Sequence, residues 1–185
     1  MTTATLTKPL IPTGTWQVDP AHTRVGFAVK HMGVTTVHGE FREFEGTLEI
    51  GEDLAQSRAY GTVRATSVDT NQPQRDEHLR SEDFFGAEAN PDLRFESKRI
   101  EQIDEDEFRI TGDLTLNGVT NEIELAAEVG GTEIGPQGEE RIGLEVTGQL
   151  SRKDYDMKFN AALGSGNAVV ADKVKLALDV AAVKT

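Results

Sequence analysis

The fold is decided in residues 16–31, which read WQVDPAHTRVGFAVKH. In the second half of this stretch Val25, Phe27 and Val29 share one face, and the residues between them are charged or small. A period of two is typical of a β-strand with one buried and one solvated face. The stretch therefore predicts a strand, and the rest of the chain repeats its pattern.

Further alternating runs predict the remaining strands, and they lie at 37–41, 44–50, 60–69, 93–97, 108–116, 119–129, 142–150 and 174–180. The alternation changes phase between Phe41 and Phe44, which predicts a β-bulge near Arg42 and Glu43. The dipeptide Asn117-Gly118 predicts a two-residue hairpin. We expect a loop over 130–140 and a long irregular loop over 151–168 that could carry function.

Residues 74–80 form the one segment that we expect to be helical. A turn follows at 81–86, and it carries the adjacent aromatic residues Phe84 and Phe85. Two adjacent aromatic side chains outside a strand cannot both face a regular core. We therefore expect the segment 74–86 to cap one mouth of the folded domain.

About eight strands with one dry face each must pack as a sandwich or close as a barrel. Eight antiparallel strands closed into a barrel leave room for side chains or for one small ligand. The pattern predicts an all-β fold with one short helix, and it leaves the sandwich and the closed barrel open. The expected organisation is a flexible N-terminal segment, residues 1–13, followed by one domain, residues 14–185.

Composition limits the function classes. The 185-residue chain has 32 acidic and 19 basic residues, a net charge of −13, which disfavours nucleic acid and anionic membranes as partners. It has no cysteine, and its four histidines lack the spacing of metal ligands, so we expect no metal. Neither a signal peptide nor a membrane-spanning run is evident, so we expect a cytoplasmic protein without a stable membrane anchor.

Five blocks in order, beginning with residues 16–31, resemble the YceI-like family. The other four are G-x-F…F-x-G at 39–46, R-D-x-H-L-x-S-x-D-F-F at 75–85, P-x-x-x-F-x-S at 91–97 and G-x-L-T-x-x-G-V-T at 112–120. The resemblance implies a closed antiparallel lipocalin-like β-barrel, and we therefore predict such a barrel of about eight strands with one short helix for residues 14–185. The resemblance also implies that the barrel carries a polyisoprenoid or another long amphipathic lipid, and it allows a homodimer. Many members of the family that this chain resembles are periplasmic and have a signal peptide.

A lipid carrier needs a dry tunnel with a polar end, and we assign candidate residues to each. The tunnel candidates are Val25, Phe27, Val29, Phe41, Phe84, Phe85, Phe95, Ile110, Leu114, Leu144 and Val146. The candidates for the polar end are His31, Arg75, His78 and Arg152. The ordinary alternatives are core packing for the first set and solvent exposure for the second.

The expected function is to bind and sequester or carry a polyisoprenoid, either an isoprenoid quinone or a polyprenyl phosphate. Arginines 75, 80 and 152 would offset a phosphate, whereas the acidic chain as a whole favours a neutral quinone. We expect no enzyme and no cofactor besides the bound lipid, because no G-x-S-x-G, HExxH or phosphate-binding loop is present. Two alternatives remain: an enzyme for a small apolar substrate in the same cavity, and an interaction module with a solid core.

Overall fold

The computed structural model describes residues 11–161, 163–165 and 168–185. The described residues form strands β1 to β11 and one α-helix, α1, besides four short 3₁₀ turns. In chain order the elements are β1 (Gly14–Val18), β2 (Arg24–His31), β3 (Thr35–Phe41), β4 (Phe44–Ile50), β5 (Arg58–Arg64), β6 (Val68–Asp69), α1 (Pro73–Arg80), β7 (Asp92–Gln102), β8 (Glu107–Leu116), β9 (Val119–Ile134), β10 (Glu140–Ser151) and β11 (Val170–Lys184).

Six of these strands are halves of bent strands. Strand β1 pairs with β4 while β2 pairs with β3, so β1 and β2 act as one bent strand beside a second one made of β3 and β4. The third consists of β5, paired with β4, and β6, paired with β3. Together with β7 to β11, the barrel therefore has eight strands.

The barrel closes between its last and first strands. From β5 through β7 to β11 each strand pairs antiparallel with the next. Strand β11 then pairs with β1, where Val18 lies opposite Ala182, and with β2, where Phe27 lies opposite Leu176. The prediction of a closed antiparallel eight-stranded barrel with one helix is confirmed.

Asp19 holds the corner between β1 and β2. Its Oδ1 accepts a hydrogen bond from the Ala21 amide at 3.0 Å, and its Oδ2 lies 2.8 Å from His22 Nδ1. Arg141 on β10 donates to the same Oδ2 at 3.0 Å, and the Asp19 amide donates to the Ala181 carbonyl at 2.8 Å. The opening sequence block therefore forms the corner at which the barrel closes.

The turn predictions had mixed outcomes. The hairpin at Asn117-Gly118 is confirmed, because both residues have positive φ, 53° and 74°. The structure has no β-bulge near Arg42 and Glu43 but a break between β3, which ends at Phe41, and β4, which begins at Phe44. At this break the Arg42 amide donates to Ser67 O at 3.1 Å.

Three segment boundaries were wrong. The loop expected over 130–140 is shorter, because β9 continues to Ile134 and Gly131 pairs with Gly143. The run 60–69 is interrupted by a 3₁₀ turn at Ala65–Ser67, and the last strand begins at Val170 rather than near 174. The glycines of β9 favour a loop locally, but hydrogen bonding to β10 keeps this segment in a strand.

Two clusters of buried side chains occupy the ends of the barrel. We call the first the floor cluster; it contains Trp16, Ile50, Phe108, Ala127, Val129, Ile142, Leu144, Val146 and Ala182. We call the second the cap cluster; it contains Phe41, Ala65, Val68, Phe84, Phe85, Ala87, Leu116, Tyr155 and Met157. The candidate site lies in the space between these two clusters.

Candidate functional site

An apolar cavity of about 560 Å³ occupies the barrel between the floor cluster and the cap cluster. Its wall consists of side chains and glycine backbone from strands on every side of the barrel. Its volume is in the range of ligand pockets, about 300–1,000 Å³. An interior of this kind differs from the solid core that an interaction module would have.

All of the sequence-derived candidates border this cavity. The apolar ones are Val25, Phe27, Val29, Phe41, Phe84, Phe85, Phe95, Ile110, Leu114, Leu144 and Val146. The polar ones are His31, Arg75, His78 and Arg152. Their contact with a ligand stays a prediction. Sequence analysis missed other lining residues, among them Leu48, Leu79, Met157 and Phe159.

Trp16 closes the floor of the barrel. Its side chain is fully buried, and its Nε1 donates to the Pro12 carbonyl at 3.1 Å. Partly buried side chains such as Leu48 and Leu178 pack on the floor cluster and also border the cavity. Apolar side chains therefore line this end of the cavity.

Aromatic side chains cover the opposite end. Phe84 and Phe85 are buried, and the Phe85 ring meets Phe41 edge-on at a centroid distance of 5.5 Å. The His78 ring lies between Phe84, at 5.0 Å, and Phe159, at 4.6 Å, with its plane nearly perpendicular to both. The segment that was expected to form a cap thus lies across this end of the barrel.

A buried carboxylate positions Arg75 at the rim of the cavity. Asp76 accepts hydrogen bonds from the amide and the hydroxyl of Thr70, and only 6% of each residue's surface is exposed. Arg75 in turn donates from Nε to Thr70 Oγ1 and from Nη2 to Thr70 O, both at 2.8 Å. Sequence analysis missed Thr70 and Asp76; the adjacency of Asp76 to Arg75 was the one available signal.

Arg152 is buried beneath the cap, with 5% of its surface exposed. Its Nε donates to Ala171 O at 2.8 Å, and its Nη2 donates to Val170 O at 3.2 Å. Its Nη1 donates to Met157 O at 3.0 Å and to Phe159 O at 3.2 Å. Burial lowers the pKa of the Arg152 guanidinium, and the negative charge of Asp172 opposes that shift.

Two features are absent from the described part of the chain. No three histidine, aspartate or glutamate side chains there converge as metal ligands. Within the same residues, no helix has the length and apolar character that crossing a membrane requires.

Comparison with known proteins identifies the family. A family model described as the YceI-like domain matches residues 16–182. The chain belongs to the YceI-like family. Protein YceI of Escherichia coli O157:H7 is 41% identical to this YceI-like chain over 138 residues, which are 74% of this chain and 72% of that protein.

Solved structures have the same fold as this YceI-like chain. The YceI protein of Campylobacter jejuni superimposes with a TM-score of 0.71 at 33% identity, and the match covers 90% of this chain and 96% of that one. A polyisoprenoid binding domain from Saccharophagus degradans has a TM-score of 0.70 at 13% identity, covering 92% and 98%. This second match shows a shared fold alone.

Proposed function

We propose that this YceI-like protein binds a polyisoprenoid or a similar long amphipathic lipid in its barrel cavity and carries it without chemical change. The observation that supports this proposal is the apolar cavity of about 560 Å³, lined by apolar side chains at the floor and covered by aromatic side chains at the cap. The shared fold of a polyisoprenoid binding domain gives further support.

Burial of the lipid supplies the driving force. Each CH₂ group that leaves water contributes about 0.8 kcal/mol. Immobilising the lipid and the lining side chains offsets part of this gain. A long apolar chain is nevertheless the kind of ligand for which such a cavity is suited, because its walls offer few hydrogen-bonding groups.

The cavity volume suggests a chain length. At about 30 Å³ for each heavy atom, roughly the share of one water in the liquid, 560 Å³ corresponds to roughly twenty atoms. A chain of about four isoprene units therefore fills it. Longer chains would have to extend past the cap.

The more detailed parts of the proposal concern the identity of the lipid and the role of its binding. An isoprenoid quinone and a polyprenyl phosphate are the candidate ligands, and the role would be transport or sequestration in the cytoplasm. No separate cofactor is needed for that role. A homodimer is compatible with it.

Titration of the stripped protein with prenyl alcohols of two to six isoprene units tests the proposal. Affinity measured by calorimetry is expected to rise with each unit up to about four and then to level off. A Leu114→Trp variant, which places a larger side chain on the cavity wall, is expected to reach its plateau at a shorter chain. Affinity that does not depend on chain length would contradict the proposal.

A surface variant controls for the effect of a new tryptophan. Thr147 is exposed on the outer side of β10, outside the cavity lining. Thr147→Trp is expected to keep the chain-length profile of the wild type. Equal changes in the two variants would remove the cavity as the explanation.

A further inference from the structure

The turn between β2 and β3 carries exposed apolar side chains. We call residues 31–35 the hairpin tip. Met32 in this tip is 39% exposed, and Val34 is 74% exposed. Across the described ranges two further large apolar side chains are exposed, Ile103 and Ile134, and both lie near the floor cluster, where β7 and β9 end. The hairpin tip is therefore the described part of the capped end at which large apolar side chains face solvent.

The hairpin tip flanks the capped end of the cavity. His31 borders the cavity and pairs with Val170, which packs against the cap cluster. The Met32 amide donates at 2.9 Å to the carbonyl of Val169, another residue of the cavity lining. Met32 and Val34 themselves are outside that lining. The exposed side chains thus lie beside the cavity and not in its wall.

Met32 has a backbone conformation that its residue type disfavours. The Val34 amide donates to the His31 carbonyl at 3.2 Å, and Met32 and Gly33 have φ of 56° and 72°. The hairpin at Asn117-Gly118 has nearly the same angles, 53° and 74°, with the asparagine that such turns favour. All other described non-glycine residues with positive φ are asparagine or aspartate. A methionine here costs conformational energy, which indicates a role for its side chain outside the fold.

The β2–β3 hairpin also differs in charge from the chain as a whole. Residues 20–39 contain no aspartate or glutamate, whereas the whole chain has 32 acidic residues among 185. The same stretch contains Arg24, Lys30 and three histidines. Lys30 directly precedes the hairpin tip and is exposed. Repulsion between this acidic protein and phosphate groups is therefore weakest at this hairpin.

We propose that the hairpin tip docks the protein transiently on a phospholipid bilayer, with Met32 and Val34 inserted among the lipids and Lys30 beside a headgroup phosphate. The inference rests on the proposed function, because it assigns the surface through which the carrier exchanges its lipid. Interfacial binding increases with the apolar area that is buried and with the attraction between basic side chains and phosphate. Two apolar side chains supply a weak contact, and the net charge of −13 opposes lasting adhesion. Repeated loading and unloading require such a reversible contact.

A bilayer suits the hairpin tip better than a partner protein does. A stable protein interface buries about 800 Å² on each partner, far more apolar and polar surface than one short turn offers. A bilayer accepts protruding apolar side chains without a complementary shape, and a lysine beside them reaches the headgroups through its flexible stem. The long apolar lipids proposed as cargo also reside in bilayers.

Transfer of radiolabelled geranylgeraniol, a prenyl alcohol of the length that fills the cavity, tests the inference. The loaded wild-type protein is mixed with phosphatidylcholine vesicles at increasing vesicle concentration. Docking predicts a transfer rate that rises in proportion to vesicle concentration, because the lipid leaves during contact. Release into water before capture would give a rate that is independent of vesicle concentration, and this result would overturn the inference.

A double variant, Met32→Asn with Val34→Thr, removes the apolar side chains of the hairpin tip. Its transfer rate is expected to fall about tenfold at a given vesicle concentration, because the burial of roughly two CH₂ equivalents is lost. Its Kd for geranylgeraniol without vesicles is expected to stay unchanged, since neither residue lines the cavity. Because asparagine tolerates the positive φ at position 32, the variant is expected to unfold at the wild-type temperature or above. An unchanged transfer rate would contradict docking through the tip.

Ile134 provides the matched control. It is 58% exposed at the end of β9, beyond the floor cluster. Ile134→Thr removes an exposed apolar side chain from the same protein and is expected to keep the wild-type transfer rate. If Ile134→Thr slows transfer as much as the double variant does, surface hydrophobicity in general explains the effect, and the inference fails.

Fluorescence measures the contact with the bilayer without any cargo. Trp16 is the one tryptophan of the chain and is fully buried, so a tryptophan introduced on the surface reports on its own surroundings. Phosphatidylcholine brominated in its acyl chains is expected to quench Val34→Trp and to leave Ile134→Trp unquenched. Absence of quenching in Val34→Trp would overturn the docking and leave the carrier in place. Failure of the wild type to bind geranylgeraniol would overturn the carrier and, with it, the exchange role of the tip.

Discussion

The guanidinium carbon of Arg152 lies 5.7 Å from the centre of the Phe84 ring. This contact joins the two segments that cover the barrel, one after α1 and one after β10. The same guanidinium donates to the carbonyl oxygens of Met157, in the cap cluster, and Phe159, which packs against that cluster. It also donates to the carbonyl oxygens of Val170 and Ala171 on β11. Arg152 therefore ties the cap to the barrel wall.

Replacing Arg152 is expected to lower the free energy of unfolding. Arg152→Met removes the donor to the carbonyl oxygens of Met157, Phe159 and Ala171, whereas the Val170 carbonyl keeps its hydrogen bond from Asn160 Nδ2 at 2.8 Å. A buried unsatisfied acceptor costs about 1–3 kcal/mol. Because neighbouring losses do not add fully, we expect a total loss of about 2–4 kcal/mol. Urea unfolding followed by tryptophan fluorescence measures it. A variant as stable as the wild type would show that the four hydrogen bonds contribute nothing.

Phe84 is expected to matter for lipid retention as well as for stability. Its ring is 6% exposed and contacts His78 and Phe159. Phe84→Ala is expected to cost about 3–5 kcal/mol of unfolding free energy and to speed the loss of bound geranylgeraniol. Stopped-flow release into lipid vesicles measures the second effect.

A Phe108 variant separates the effect on unfolding free energy from the effect on lipid release. It is 5% exposed in the floor cluster at the other end of the barrel, outside the cavity lining. Phe108→Ala is expected to cost a similar free energy of unfolding and to leave the release rate within about twofold of the wild type. Equal acceleration in both variants would contradict the role of the cap.

The Phe27 ring lies over Gly39, its direct partner on β3. A methyl group at position 39 would overlap the ring atoms of Phe27. Gly39→Ala is therefore expected to displace the ring and to cost about 1–3 kcal/mol. At Gly143 a methyl group would meet no atom within 4 Å, so Gly143→Ala is expected to change stability by less than about 0.5 kcal/mol. Thermal unfolding of both variants makes the comparison; equal losses would rule out the overlap.

The Asp19 corner predicts a pH dependence. The contact with His22 and the hydrogen bond from Arg141 lower the pKa of Asp19 from 3.8 to about 2. A carboxylate with a depressed pKa in the folded state stabilises the protein above its unfolded pKa, and this contribution is lost as the pH falls. We expect Asp19→Asn to be less stable than the wild type at pH 7, and the difference to shrink between pH 4 and pH 2.

Urea unfolding of the Asp19→Asn variant and the wild type at pH 7, 5, 4 and 3 measures this dependence. Asp53 provides the control, because it caps a similar turn through the Ala55 amide without an arginine partner. Asp53→Asn is expected to lose less stability than Asp19→Asn at pH 7. A constant difference between the Asp19 variant and the wild type at every pH would contradict the assignment.

Alternation of apolar residues was sufficient to predict the strands, because each strand buries one face only. It did not distinguish a barrel from a sandwich, and the resemblance to the YceI-like family did. The alternation also placed side chains such as Phe27 and Ile110 on the inner side of the wall. The extent of β9 was not predictable, since its glycines 130 and 131 indicate a turn locally. Its pairing with β10 depends on residues that are distant in sequence.

The environment of Arg152 was not predictable for the same reason. A charged side chain in a polar segment is normally solvated. Its burial depends on carbonyls of β11, which lie up to 19 residues away in sequence. The Asp76–Thr70–Arg75 contacts likewise form only when α1 packs beside β6.

Native mass spectrometry of the freshly purified protein tests the central claim most directly. The account predicts a complex of one protein with one lipid of polyisoprenoid mass, together with stoichiometric reloading of the stripped protein by geranylgeraniol. A homogeneous ligand-free mass, with no uptake of geranylgeraniol or geranylgeranyl monophosphate, would contradict it.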